Sequence, residues 1–258
     1  MAEPAISIVT PAYNAFTTLR CCVESIRTQS FEDWEHIIVD DGSTDNTWLL
    51  LRELAEEDSR LRIIRQSNAG QGRARNVAID VSMGCYIGLL DADDWAIPGR
   101  LDLQAAFLDA HTDVDVVGGA IINISETGKN LGVSKLASSH DELVADIYQR
   151  TPFFTSTVMA RRTFFVELRG FGEEMYLRRV EDYHLWLRGY KRFRYHNLQV
   201  PLVFYRRRMA ADWRSALYSA RVIIAAIRRD RKPPSYIWYA ARPLLATLCQ
   251  VVLPFTFH

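Results

Sequence analysis

Three carboxylates fall within four residues at Asp91-Ala92-Asp93-Asp94, directly after the apolar run Tyr86-Ile87-Gly88-Leu89-Leu90 and ahead of Trp95. Like charges this close repel unless a cation or strong donors lie between them. Hard oxygen ligands of this kind suit Mg²⁺ or Mn²⁺, which bind through one or two carboxylates together with substrate phosphates. An isolated D-x-D is more often a solvated acidic turn. The fully apolar run before this one shifts the balance toward a site.

Three further clusters have the residue types for chemistry. Val39-Asp40-Asp41-Gly42-Ser43-Thr44-Asp45 ends an apolar run with two acids, either of which could accept from the N–H of a uracil-like base. Thr44 or Asp45 could equally cap the following helix, and Gly42 turn the chain. Gln66-Ser67-Asn68-Ala69-Gly70-Gln71-Gly72-Arg73-Ala74-Arg75-Asn76 places two glycines and two arginines at a helix start, where a phosphate or ribose could approach. It lacks the third glycine of the dinucleotide fingerprint, and the chain has no G-x-x-x-x-G-K-[ST] loop. Glu181-Asp182 opens an amphipathic segment. The pair either complements the helix dipole or supplies a general base. His184 reads as a packing or surface histidine.

The elements that must position these clusters alternate in type. Strands are expected at Ile6–Thr10 (stopped by Pro11), His36–Asp40, Leu61–Ile64, Tyr86–Leu90, Val114–Ile122, Phe153–Met159 and Val200–Tyr205. Helices are expected near Leu19–Ile26 (with Thr17 or Thr18 as cap), Leu49–Leu54, Arg73–Val81, Leu101–Leu108, Glu181–Tyr190, Ala216–Arg229 and Tyr236–Val252. The Gly-, Ser- and Lys-rich stretch Ser125–Ser139 reads as a mobile loop. Such alternation implies an α/β fold, with a mainly parallel sheet flanked by helices. Ligands bind beyond the carboxyl ends of such strands, so Tyr13-Asn14, Asp40-Asp41, Asn68–Asn76 and Asp91–Asp94 should share one rim.

Composition narrows the classes. Thirty-one basic residues balance 31 acids, which argues against a general nucleic-acid binder. The four cysteines (Cys21, Cys22, Cys85 and Cys249) suggest neither a disulfide framework nor a CxxC metal pair, and fit a reduced, cytoplasmic setting. The Met-Ala-Glu-Pro start lacks a secretory pattern, and no uncharged apolar run of about twenty residues appears. Two regions are expected: residues 1–212 as a catalytic domain and residues 213–258 as a basic and apolar helical extension.

In order, Ser7-Ile8-Val9-Thr10-Pro11-Ala12-Tyr13-Asn14, Val39–Asp45, Asn68-Ala69-Gly70 with Ala74-Arg75-Asn76, Asp91-Ala92-Asp93-Asp94 and Glu181-Asp182 resemble the motifs of inverting family-2 glycosyltransferases of the GT-A fold. The resemblance spans roughly residues 5–208. It implies transfer of a sugar from a nucleotide-diphosphate donor, such as a UDP-sugar, to a hydroxyl of a glycan or lipid-linked acceptor. Carried onto this chain, Pro11, Tyr13 and Asp41 would hold the base with Arg75 nearby, and Asn14, Asn68 and Gly70 would line the donor pocket. Asp91 would contact ribose, sugar or metal, and Asp93 would ligate Mn²⁺ or Mg²⁺ bridging the diphosphate. Asp182, beside Glu181, would be the base. Many relatives carry Tyr-Arg-x-His after the last strand. Here the run is Tyr205-Arg206-Arg207-Arg208, so Arg208 would meet the diphosphate where a histidine is expected and tight metal binding comes into question. The Q-x-x-R-W signature of processive synthases is absent, so a single transfer is expected.

Two other classes stand beside this one. A sugar-1-phosphate nucleotidyltransferase would want a Gly-rich basic loop after the first strand, where Pro11-Ala12-Tyr13-Asn14 stands. A catalytically silent nucleotide-sugar-binding module is the third. In the tail, Arg228–Lys232 precedes an apolar, aromatic segment. It reads either as a helix packed on the domain or on a twin subunit, or as an anchor through 228–258 on the inner face of the cell membrane.

Overall fold

The computed structural model describes residues 3–207 and 213–252. The strands are β1 (Ile6–Ala12), β2 (Trp34–Asp40), β3 (Leu61–Arg65), β4 (Tyr86–Leu89), β5 (Trp95–Ala96), β6 (Val116–Ile124), β7 (Asn130–Ser134), β8 (Met159–Arg161) and β9 (Tyr195–Arg206). Among the described residues they form one mixed sheet in the order β3-β2-β1-β4-β8-β6-β9-β5, with β7 paired to β6. The longer ladders, β1 with β2 and β6 with β9, are parallel. Short β8 runs antiparallel to both β4 and β6 and joins the two halves. The carboxyl ends of β1, β2, β4, β6 and β9 therefore lie on one rim.

Every residue of β1 and β2 is buried, as expected for central strands covered on both faces. β1 does not stop at Pro11 but runs on to Ala12, opposite Asp40. Val9 O accepts from Leu90 N at 3.1 Å, so alternation turns Pro11 toward the same edge, beyond the end of β4. Its missing N–H therefore costs no ladder bond.

Helices α1 (Leu19–Arg27), α2 (Thr47–Glu57), α3 (Gln71–Asp80) and α4 (Arg100–Ala110) follow the expected pattern, and α7 (Glu181–Gly189) opens on the acidic pair. Thr18 stands at the α1 N-cap, but its hydroxyl bonds Ala15 O instead of capping. Two short helices, α5 (His140–Ala145) and α6 (Arg162–Glu167), carry too few turns for a periodic signal. α5 is held by a capping box between Ser139 and Glu142.

Two expectations are corrected. Ser125–Ser139 is not a bare loop: Asn130–Ser134 pairs with β6 as a hairpin, closed by bonds between Ser125 and Lys129. Phe153–Met159 is not a strand: Thr155–Thr157 is a 3₁₀ turn, and the strand begins only at Met159. Local hydroxyl bonding explains the second case, because Thr157 Oγ1 donates to Phe154 O at 2.7 Å and competes with an extended backbone.

α8 (Trp213–Arg229) and α9 (Ile237–Val252) complete the chain. Ala220, Val222, Ile223, Ala226 and Ile227 of α8 pack into the core cluster that holds Trp186 and Phe164. Asp230 accepts from Tyr148, Tyr190, Lys191 and Arg229, which ties the end of α8 to that core. No helix among the described residues is long and apolar enough to cross a membrane.

Candidate active site

The acidic turn sits where β4 ends. Carboxylate oxygens of Asp91, Asp93 and Asp94 lie within 4.8 Å of one another. Asp94 is 1% exposed, and its Oδ1 accepts from Arg206 N at 2.8 Å while Oδ2 is buried with no partner. Burial, then the nearby Asp91 and Asp93, pushes the Asp94 carboxyl well above the usual carboxylate range. Three hard oxygens this close with one orphaned atom fit a divalent cation. Asp91 and Asp93, both partly exposed, are the two positioned to reach it, with buried Asp94 behind them.

Arg75 ties this turn to α7. Its Nη2 donates to Asp91 Oδ1 at 2.7 Å and its Nη1 to Glu181 Oε1 at 3.1 Å, with the side chain only 3% exposed. Burial works against the cation, but Asp91, Glu181 and Asp182 outweigh it and hold the guanidinium charged. Burial raises the Glu181 carboxyl, Asp182 adds to that, and Arg75 opposes it. The next carboxylate, Asp182, receives a hydroxyl bond from Thr155 Oγ1 at 2.6 Å. Tyr205, on β9, has its phenol pushed up by burial and by Asp91, Asp94, Asp182 and Asp93, which places it against the same acidic group.

On the other side of α3 lies a set of polar residues that hold loops. Asp41 accepts from Gln66 Nε2 (2.7 Å), Ala69 N (2.8 Å) and Gly70 N (2.8 Å). Asn14, with φ of 49°, accepts from Thr44 N at 2.8 Å and donates its own N–H to Ser43 Oγ at 2.9 Å. Asp45 Oδ1 accepts from Thr47 N at 2.9 Å, a local turn bond that leads into α2, whose N-cap position is Asn46. Buried Asp40 pairs with Arg65 at 3.0 Å. Gly42 has φ of 76°, and a Cβ there would come within 2.8 Å of Asn68 N, so a side chain is excluded twice over. Pro11 is buried, Tyr13 is 50% exposed, and Asn68 is exposed, with Gly70 at the N-terminus of α3.

The expected residues thus share one rim but divide by task. Asn14 and Asp41 spend most of their hydrogen-bonding capacity on the loops that follow β1, β2 and β3. Arg75 is spent on two carboxylates. Arg208 lies outside the described residues. His184 is half-buried; burial, then Arg188, lowers its pKa to about 4.

Sequence reasoning passed over four participants. Arg206 bonds Asp94 through its backbone and Asp93 O through Nε, and its guanidinium also reaches Glu126 O. Thr155 and Ser156 flank the site from the 3₁₀ turn, Ser156 Oγ accepting from Asp91 N at 3.2 Å. Arg100, 1% exposed, donates to Leu89 O and Val158 O beneath the turn. The one available signal was a Thr-Ser-Thr cluster inside an otherwise apolar run.

The pattern described as Glycosyl transferase family 2 matches residues 7–169. The putative glycosyltransferase EpsE of Bacillus subtilis (strain 168) is 33% identical over 264 residues, covering 99% of this chain and 93% of that protein. Among solved structures, Staphylococcus aureus TarS 1–349 in complex with UDP-GlcNAc superposes with a TM-score of 0.70 at 21% identity, over 95% of this chain and 72% of that one. The mannosyltransferase PcManGT from Pyrobaculum calidifontis, in complex with GDP-Man and Mn²⁺, gives 0.68 at 18%, over 100% and 77%. These two show the shared GT-A fold. With the family pattern covering more than half its length and a near full-length likeness to EpsE, the chain belongs to glycosyl transferase family 2 and is a glycosyltransferase.

Proposed function

We propose that the protein moves one sugar from a nucleoside-diphosphate donor, a UDP-sugar, to a hydroxyl of a glycan or lipid-linked acceptor, with inversion at the anomeric carbon. Family membership argues against the nucleotidyltransferase, and the turnover test below separates an active enzyme from a silent binding module. One observation supports the reading: a single guanidinium, that of Arg75, pairs with Asp91 of the metal-type turn and with Glu181, the neighbour of Asp182. That spacing suits a reaction in which a diphosphate leaves on one side and a hydroxyl attacks on the other.

The roles follow from the chemistry of each group. Asp182 takes the acceptor proton as the acceptor oxygen bonds to the anomeric carbon. The bond from that carbon to the diphosphate oxygen breaks, and the nucleoside diphosphate leaves with the electron pair. Asp93 and Asp91 would hold Mn²⁺ or Mg²⁺; such a cation, when bound, offsets the charge gathering on the leaving diphosphate. Pro11, Tyr13, Asn68 and Gly70 line the nucleotide side, where Asp41 and Asn14 hold the loop shape. Glu181 keeps Arg75 in place rather than handling a proton. The test is donor consumption across a panel of nucleotide sugars with Mn²⁺ and with Mg²⁺, comparing wild type with Asp93→Ala. No consumption of any donor by wild type, or equal consumption by both proteins, would overturn the reading.

A lipid-linked acceptor would bring the enzyme to an inner membrane face, and the C-terminal extension supports that extension of the reading. Residues 213–258 hold seven basic residues and one acid, in a chain that is neutral overall. Trp238 is 60% exposed and Ile237 56%, next to the cationic Arg228–Lys232 segment. Cations with exposed aromatics suit an anionic headgroup layer. Co-sedimentation with phosphatidylglycerol vesicles, compared with neutral phosphatidylcholine, tests it. Binding to neither, together with a dimeric mass in solution that falls on Trp238→Ala, would assign the surface to a second copy instead.

A further inference from the structure

The 3₁₀ turn at Thr155–Thr157 has no role in the chemistry assigned so far, yet it touches both halves of the site. Thr155 Oγ1 donates to Asp182 Oδ2 at 2.6 Å, and the neighbouring Ser156 Oγ accepts from Asp91 N at 3.2 Å. The turn itself is held from three sides. Gln104 Nε2 donates to Thr157 O at 2.8 Å, Gly119 N donates to Thr157 Oγ1 at 3.1 Å, and Arg100 Nη2 reaches Val158 O at 3.3 Å. Arg100, Gln104, Ser156 and Thr157 are all 1% exposed or less. A turn fixed this way cannot drift, so the direction of the Thr155 hydroxyl is set by the core.

We propose that Thr155 is a positioning residue for the base: its hydroxyl fixes the Asp182 carboxylate rotamer relative to the Asp91–Asp94 turn. The inference rests on the reading of Asp182 as the base. Asp182 Oδ1 is engaged by Tyr183 N at 2.6 Å, so the carboxylate is held at both oxygens. Each oxygen keeps a further lone pair for an acceptor proton. Without the hydroxyl, the side chain of Asp182 regains freedom at the start of α7, where no other described side chain donates to it. A hydrogen bond to a carboxylate from a pre-set donor lowers the cost of holding a reactive geometry, and a misplacement of about 1 Å can cost about a hundredfold in rate. Ser156 fastens the same turn to the backbone of the acidic turn at Asp91, so one rigid element spaces the base from the departing diphosphate.

The test uses the full chain and a double-mutant cycle: wild type, Thr155→Val, Asp182→Asn and the pair, with Thr155→Ser as the conservative control. Donor consumption gives kcat. Titration of UDP and of GDP in the presence of Mn²⁺ gives nucleotide affinity, and thermal unfolding checks folding. Thr155→Val is expected to lower kcat about 10- to 100-fold with nucleotide affinity within about twofold, and Thr155→Ser to recover most of the rate. In the Asp182→Asn background, Thr155→Val should have no further effect, because it acts through that carboxylate. If Thr155→Val turns over normally while Asp182→Asn does not, this inference fails and the base assignment survives. An equal drop in both backgrounds also overturns it, since the effect would then bypass Asp182. Normal turnover by Asp182→Asn removes the base and this inference together.

Discussion

The donor-side region, formed by β1 to β3 and the loops after them, differs from the junction where β4, the 155–157 turn and α7 meet. On the donor side the conspicuous polar residues are satisfied: Asp41 has three partners and Asn14 at least two, all within the protein. At the junction, carboxylates crowd without enough partners, and Asp94 Oδ2 and Glu181 Oε2 have none among the described residues. The lesson is that similar acid-rich motifs serve different ends. The acids of the donor side hold loops in shape, and the crowded acids of the junction leave a surplus of carboxylate oxygens around Asp91 and Asp93.

Perturbing the two regions should therefore give different signatures, and the largest belongs to the junction. Asp182→Asn should cut turnover about 10²- to 10⁴-fold with nucleotide affinity unchanged, as loss of a general base does. Asp93→Ala should abolish Mn²⁺-dependent UDP binding in calorimetry while leaving the unfolding temperature nearly unchanged. Arg75→Met should be the structural exception at the junction. It strands Asp91 and Glu181 without their shared cation, and a loss of about 3–5 kcal/mol is expected in denaturant titration.

Smaller effects should come from the donor side. Asp41→Ala leaves Ala69 N and Gly70 N without an acceptor, costing about 1–3 kcal/mol and raising the donor KM more than it lowers kcat. Should Asp41→Ala instead lower kcat at full stability, the division between shape and chemistry would be wrong. A separate effect, away from the candidate site, is a pH dependence of stability from His36, buried beside Thr10. Burial, then the Arg100 charge, lowers its pKa from 6.5 to about 3. The unfolded chain therefore takes up a proton that the fold refuses, and stability is lost as pH drops below about 6.5. Thermal unfolding between pH 8 and about 4 should show this decline, and His36→Gln should flatten it.

Legibility followed the same division. β1, β2, β4 and the acids closing them could be read because buried parallel strands are continuous apolar runs that end abruptly in polar turns. Pro11 misled only about where β1 stops, since a strand end with no neighbour on one edge needs no N–H there. Residues 153–159 look equally strand-like by composition. Their hydroxyls bond locally, and nothing in the order of residues shows that Thr155 will face Asp182 across 27 positions. The hairpin at Asn130–Ser134 was hidden for a related reason: its partner β6 supplies the pairing, while its own residues are mostly polar and exposed.

By itself, then, the chain determined the α/β alternation and the rim shared by Asp41, Asp91 and Asp93, for which local periodicity and turn residues suffice. The family chemistry, with Asp182 as its base, came from the resemblance of the ordered motifs. Only the tertiary structure decided which acids are spent and which remain open. Arg75 clamps Asp91 and Glu181, Arg206 and burial claim Asp94, and Thr155 aims Asp182. Those assignments depend on partners 16 to 112 residues apart, and on desolvation that exists only once the sheet closes over them.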